Sequence, residues 1–543
     1  MSPNYSTPES GVDPFTLFTQ GISWLMSTTL HVALGVLLGW GVARLMRSQQ
    51  LNWTWAAVAF VVVLIARPLF GGLALTIGIA ALAAAFRGRR WRREDIEVGG
   101  DLAQLVRSFV GPLDVVRGIC SRVELRRLLS HGESWFRADE LLIGQEQDGR
   151  LVRIPLGGAA GGTHTLVVGA TGSGKTVTET GIAVHSIEHG MAAVVVDPKG
   201  DARMLAEVRA AAERMGRPFV HWTPEGSVVW NPFARGSATQ IADKLLAVER
   251  FSEPHYLRQA QRYLGHVVRV LREAGIVVSL ANVVRYLDPQ ELEVLVRGLL
   301  KEKGEKAEKV EVAQAYLASL TDRQRDGLSG VRDRLAIMAE SDVGRWLDPE
   351  TPGARAFDLL EMIERRAVVY FNLEADSRPL LANMLGAAIV QDLQTTVAAL
   401  QGRPVPTLVV IDEFSAVSAD QVTRLFGRAR SAGMSLVLGT QELSDLRLPG
   451  LELLLEQVMG NLSVLIAHRQ VVPASATLIA DVAGTQGAWA MAVRSNGDGT
   501  STRGREYRIH PDDIKTLPCG CAVVIVPTGK RPVRVTQVFS LNR

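Results

Sequence analysis

The pattern of apolar and polar positions changes character at about residue 94. Before it, residues 29–46, TLHVALGVLLGWGVARLM, and 53–86, WTWAAVAFVVVLIARPLFGGLALTIGIAALAAAF, are apolar almost without interruption. A bilayer crossing takes about 20 such residues. As a single helix the second stretch would reach ~50 Å at ~1.5 Å per residue, longer than a ~30 Å hydrocarbon core. It must break, and Arg67-Pro68 with Gly71-Gly72 marks the place. Either a kinked helix carries its surplus into the interface, or two short helices form a hairpin. The run RGRRWRR at 87–93 comes next. Cytoplasmic flanks concentrate Lys and Arg, so the chain beyond it is expected in the cytoplasm. The first 30 residues hold no Lys or Arg, whereas Arg44 and Arg47 follow the first stretch. That favours an outside N-terminus and three crossings; two crossings with the N-terminus inside is the alternative.

After residue 95 short β-branched runs alternate with helical stretches. THTLVVGA (163–170), MAAVVVDPKGD (191–201), RRAVVYFNLE (365–374), PTLVVIDEF (406–414) and MSLVLGTQ (434–441) each read as a strand buried on both faces. Helical patterns at 175–189 and 379–400 lie between them. Strands separated by helices predict a mostly parallel, doubly covered sheet with ligands at the carboxyl ends of its strands. Between VVWNPF (228–233) and Arg365 the strand signal gives way to apolar residues at three- and four-residue spacing, an all-α insertion. RSNGDGTSTRGRE (494–506) reads as a flexible loop, rich in Gly, Ser and Thr. The chain therefore divides into an anchor (1–93), a first part of an α/β domain (94–233), an all-α insertion (234–364) and a second α/β part (365–543).

The chemistry sits at the strand ends. Gly169, Ala170, Thr171, Gly172, Ser173, Gly174, Lys175 and Thr176 match GxxxxGK(S/T), directly after a strand and opening a helix. Glycines let backbone N–H groups close on phosphates, and the helix N-terminus favours negative charge. Lys175 is placed to reach the β- and γ-phosphates of ATP and Thr176 to ligate Mg2+. LVVIDEF ends in two acids: Asp412 to hold magnesium, Glu413 to polarise an attacking water. Gln441, ending the next strand, is a candidate γ-phosphate sensor. Arg428 and Arg430 in GRARSAGM are candidates for an arginine acting on a neighbouring subunit's nucleotide.

Composition narrows little further. With 59 Lys plus Arg against 56 Asp plus Glu, the net charge of +3 gives no general pull toward a polyanion, so any nucleic-acid surface must be local. Three cysteines, Cys120, Cys519 and Cys521, make no disulfide framework. Cys519-Gly-Cys521 lacks the further ligands of a tetrahedral zinc and reads as a turn.

The ordered set of the phosphate loop with its preceding His164, DPKGD, WNPF before a helical insert, VIDEF, RSAG and GTQ closely resembles the type IV secretion coupling proteins of the TraG/TraD group. The resemblance covers essentially the whole chain. It implies a RecA-like P-loop NTPase domain with an all-α insertion and N-terminal transmembrane helices, in a multi-pass protein of the bacterial inner membrane with its ATPase domain in the cytoplasm. It implies a homo-hexameric ring that uses ATP and Mg2+ to pass DNA, single-stranded with a relaxase, to secretion channel components. Arg430 is then the better trans-acting arginine, and Asp197 and Lys199 line the nucleotide region. Alternatives are an ATP-dependent receptor for secreted protein effectors and a double-strand DNA pump like FtsK or HerA. The short polar break at 47–52 departs from the family's two crossings with a periplasmic segment between them.

Overall fold

The computed structural model of the chain describes residues 14–48, 51–70, 73–97, 112–131, 134–157, 161–246, 254–303, 308–417, 419–447, 453–493, 499–529 and 531–541. They sort into two compact units: the chain up to Arg126 with 148–150 and Thr485–Tyr507, and the remainder.

In the first unit α1 (Pro14–Ser48) contains the apolar segment Leu17–Met46, of mean hydropathy 1.5. Among the described residues it is the one helix long and apolar enough to cross a membrane. The second apolar stretch is broken where expected, into α2 (Thr54–Ile65), the single turn α3 (Arg67–Phe70) and α4 (Ala74–Glu97). Gly71-Gly72 lie outside the described residues. Small residues bring α1 and α4 together: a Cβ on Gly39 would lie 2.5 Å from the Ala80 carbonyl oxygen, and one on Gly35 2.8 Å from Ile79 Cβ. Glycines four apart on one helix face allow such close backbone approach in lipid. His31 Nδ1 and Thr76 Oγ1, 2.8 Å apart, form a polar link across the same pair. α5 (Pro112–His131) follows.

The second unit is built on one sheet. Its strands are β1 (Phe136–Arg137), β2 (Glu140–Glu146), β3 (Leu151–Pro155), β4 (His164–Val168), β5 (Ala192–Asp197), β6 (Phe219–Trp222), β9 (Val368–Asn372), β10 (Thr407–Ile411), β11 (Met434–Thr440), β12 (Val464–Ala467), β15 (Cys521–Ile525) and β16 (Val533–Val538). The order is β1-β2-β16-β15-β12-β4-β11-β10-β5-β9-β6, with β3 on β2. From β12 to β6 every pairing is parallel; from β12 through β15 and β16 to β2 it is antiparallel. Every residue of β4, β5, β10, β11 and β12 is buried, which is why the first four of these read as apolar strands in the sequence. α6 (Lys175–Glu188) and α7 (Ala202–Arg214) pack on the sheet, and Ile182, Ile187, Val208 and Ala211 join Val195, Val410 and Val437 in one core.

The segment 234–364 is helical, with α8 (Ala238–Leu246), α9 (Pro254–Glu273), α10 (Leu280–Tyr286), α11 (Pro289–Lys303), α12 (Glu308–Ala318), α13 (Asp322–Ala339) and α14 (Leu359–Glu364). It also holds a strand without a sequence signal, β8 (Arg355–Phe357), parallel to β7 (Val228–Trp230). Its entry is pinned by a buried ion pair: Lys244 Nζ meets Asp392 Oδ1 at 3.2 Å and donates to the Pro232 carbonyl at 2.8 Å. Asp392 Oδ2 in turn accepts the Trp230 indole N–H at 3.1 Å. Buried charges persist only with such partners.

The loop expected at 494–506 is overturned in its second part. Gly499–Tyr507 is strand β14, paired antiparallel with β13 (Thr485–Val493) in the first unit, Thr485 opposite Tyr507. Gly weakens the strand signal and the charged residues give it no apolar face, and the partner that supplies its backbone hydrogen bonds is set by register, not composition. Residues 494–498 lie outside the described residues.

Candidate nucleotide site

The phosphate loop begins where β4 ends, gripped by both neighbouring strands. Gly169 N–H donates to the carbonyl of Thr440, the last residue of β11 (3.2 Å), and Ala170 N–H to that of Arg469 beyond β12 (3.0 Å). Gly172 and Gly174 have φ of 74° and 111°, which L side chains avoid. A Cβ on Gly169 would lie 2.5 Å from Ser173 Oγ. Ser173 Oγ is buried without a hydrogen-bond partner, and Thr171 is exposed. Lys175 is the first residue of α6, so the free N–H groups of its first turn belong to the loop.

Behind the loop lies a compact charge cluster. Lys175 Nζ is bonded to Asp412 Oδ1, and stands 3.1 Å from Glu413 Oε1 and 3.9 Å from Glu179 Oε2. Burial works against its charge, but Glu179, Asp412 and Glu413 together hold its ammonium above the usual lysine range. Lys199 Nζ also reaches Glu413 Oε1, at 3.1 Å. β11 lies between β4 and β10, so Gln441 emerges between the phosphate loop and the acidic pair. Its Oε1 accepts from Thr171 Oγ1 at 3.4 Å. Glu413 itself has φ 43°, an uncommon conformation for a non-glycine residue that tends to occur at functional turns.

Lys175, Thr176, Asp412, Glu413 and Gln441 therefore converge on one place. Arg430 and Arg428 do not. They precede β11, at the opposite end of the parallel strands, where Arg430 Nε donates to the Gly162 carbonyl at 3.2 Å. Asp197 is fully buried: its carboxylate accepts from the N–H groups of Lys199, Gly200 and Asp201 and from the Tyr370 hydroxyl. It shapes the turn that presents Lys199.

Three parts of the site went unread in the sequence. Glu179 is fully buried one helical turn after Lys175, and neither of its oxygens has a hydrogen-bond partner. Burial, with Asp412 close by, pushes its carboxyl well above the usual range. An acid four residues after Lys175 was the available signal. His468, just past β12, joins Thr178 Oγ1 (2.8 Å) to the Cys521 carbonyl (3.0 Å), and burial lowers its pKa to about 4. The turn Pro518–Cys521 lies against the loop: Gly520 N–H donates to the Ser173 carbonyl at 2.9 Å and Cys519 Sγ–H to that of Gly172 at 3.2 Å.

Known proteins share this fold. The bacterial conjugative coupling protein TrwBdeltaN70, in its unbound monoclinic form, superposes with a TM-score of 0.54 at 19% identity, covering 74% of this chain and 89% of that one. Its trigonal form in complex with sulphate gives 0.51 at 19%, covering 69% and 84%. At these identities the likeness establishes the fold, α/β and RecA-like. The Type 4 coupling protein DotL of Legionella pneumophila is 28% identical over 158 residues, covering 25% of this chain; the chain spans about a fifth (20%) of that relative's length. The family model described as the type IV secretion-system coupling protein DNA-binding domain matches residues 150–530. With most of its length matched by that model, the chain belongs to the type IV secretion-system coupling protein family.

Proposed function

We propose that this protein is a membrane-anchored ATPase that recruits DNA, single-stranded and bound to a relaxase, and drives it toward a secretion channel. The observation that carries the reading is the convergence of Lys175, Asp412, Glu413 and Gln441 on a glycine loop at a helix N-terminus. The residues fit Mg-ATP: the loop offers backbone N–H groups, the Ser173 hydroxyl is unpartnered, and Thr176 and Asp412 supply the hard oxygen donors magnesium prefers. Bound there, the metal would neutralise phosphate charge. Lys175, freed from Asp412, would turn to the β- and γ-phosphates. Glu413 would orient a water and accept its proton, with Lys199 steadying the carboxylate, and Gln441 would report the γ-phosphate to Thr171.

Arg430 lies too far along the strands to serve its own loop. A ring, most simply a homo-hexamer, would carry it to the neighbouring subunit's nucleotide. α1 anchors the protein in the inner membrane, and the Arg-rich end of α4 keeps the ATPase on the cytoplasmic side. Whether α2 and α4 also cross bears on the contact with channel components. The test is the ATPase rate of the full chain in detergent with and without single-stranded DNA. Stimulation supports DNA as cargo. An unchanged rate overturns it and favours a receptor for protein substrates, and stimulation by duplex alone favours a double-strand pump.

A further inference from the structure

β6 ends the central sheet, and beside it runs a groove of about 770 Å³. Phe219, Val220 and His221 all line it. Successive strand residues point to opposite faces, so a groove touching three in a row follows the strand's edge. The parallel pairing fixes what that edge offers. Phe219 is in register with Val368, and Val368 N–H donates to the Pro218 carbonyl. Residues 218, 220 and 222 therefore bond toward β9, while the N–H and C=O groups of Phe219 and His221 turn outward, where among the described residues no further strand follows. Such an edge is a template for one more strand.

The opposite wall runs from Arg272 in the last turn of α9 through the loop that follows to Val278, which Asn231 holds by donating to the Val278 carbonyl at 2.9 Å. Val277 stands 40% exposed there, and Phe357 of β8 adds a half-buried apolar floor. The charges at the rim are unequal. Asp358 is taken by Arg235 (2.6 Å) and Glu361 by Arg365 (2.8 Å). Arg272 donates to a carbonyl, that of Gly236, and among the described residues neither it nor Arg355 has a carboxylate partner. Both are exposed.

From this we infer that the groove binds an extended acidic peptide segment of a partner protein, added as a strand to β6 with its carboxylates on Arg272 and Arg355. Backbone pairing gives affinity, and the apolar floor with the two arginines selects alternating apolar and acidic side chains. The site involves none of the nucleotide-binding residues and stands whether the cargo is DNA or protein.

The test uses the full chain in detergent and a fluorescein-labelled octapeptide of alternating Glu and Val, read by anisotropy. Wild type is expected to bind it, and to bind the Lys–Val counterpart at least ~10-fold more weakly, since like charges oppose docking. Arg272→Glu with Arg355→Glu should weaken the acidic peptide by ~10-fold or more while nucleotide binding is unchanged. The same peptide N-methylated at every residue should lose binding, because neither of its edges can then donate backbone hydrogen bonds to β6. Absence of binding by wild type, equal binding by the double variant, or full binding of the N-methylated peptide would each overturn the inference.

Discussion

The carboxyl of Glu179 occupies the space that a side chain on Gly439 would take. A Cβ at 439 would lie 2.0 Å from Glu179 Oε1 and 2.8 Å from Asp412 Oδ1. The glycine in LVLGTQ thus makes room for two acids at the back of the nucleotide site. Gly439→Ala is expected to displace both carboxyls, at a cost of ~1–3 kcal/mol in stability, and to weaken nucleotide binding by the full chain. Chemical denaturation and a fluorescent-nucleotide titration measure the two effects. An alanine variant with wild-type values for both would mean that Glu179 rests elsewhere.

Lys175 is the cation that lets Asp412, Glu413 and Glu179 share one buried space. Removing it leaves Asp412 and Glu179 without a counter-charge, Glu413 alone keeping Lys199, and breaking a buried pair on one side typically costs ~3–5 kcal/mol. Lys175→Ala should therefore lower the melting temperature even without nucleotide, besides abolishing hydrolysis, with membrane insertion intact. Turnover that survives this change would end the motor reading.

How much of this could be read in the chain follows from the range over which each feature is specified. The phosphate loop, its strand and its helix are contiguous, so residues 163–189 disclose them, and VIDEF carries its carboxylates at a strand end in the same local way. Asp412 and Lys175 lie 237 residues apart, yet each has its own local signature. Glu179 has only its four-residue spacing from Lys175, since its burial depends on Gly439 of β11. His468 and the turn at 518–521 are likewise placed by β12 and β15, whose pairing with the loop's own strand and with each other no periodicity announces. β14 was misread because a two-stranded ribbon is held by backbone pairing, of which its glycines and charged residues give no clue.

His468 makes the site sensitive to acid. Its folded pKa is about 4, below the ordinary value of 6.5. Between those values the unfolded chain binds the proton and the folded one does not, so stability is fully present above ~6.5 and falls as pH drops toward ~4. The full shift is worth ~3 kcal/mol. Denaturation midpoints across this range should decline with acid in wild type and decline less in His468→Gln, which can still bridge polar groups. Parallel declines would assign the acid sensitivity to other groups.

Arg430 sits at the opposite end of the strands from its own phosphate loop, tied to the Gly162 carbonyl and to Ser463 Oγ at 3.4 Å. Both are weak, partly exposed contacts that a subunit interface could replace. Arg430→Ala should lower turnover by ~10³-fold, the scale of a transition-state arginine, with nucleotide affinity kept. Arg428→Ala, whose backbone carbonyl rather than its guanidinium makes the local contacts, should change turnover little. The decisive form of the experiment mixes subunits. Lys175→Ala subunits cannot hydrolyse but carry an intact Arg430, whereas Arg430→Ala subunits carry an intact loop. Where the first borders the second, one complete site forms if the arginine acts across the interface. Turnover should then reappear on mixing two inactive proteins and peak at an intermediate ratio. No recovery at any ratio, from subunits that demonstrably co-assemble, would confine each subunit's chemistry to itself and remove Arg430 from it.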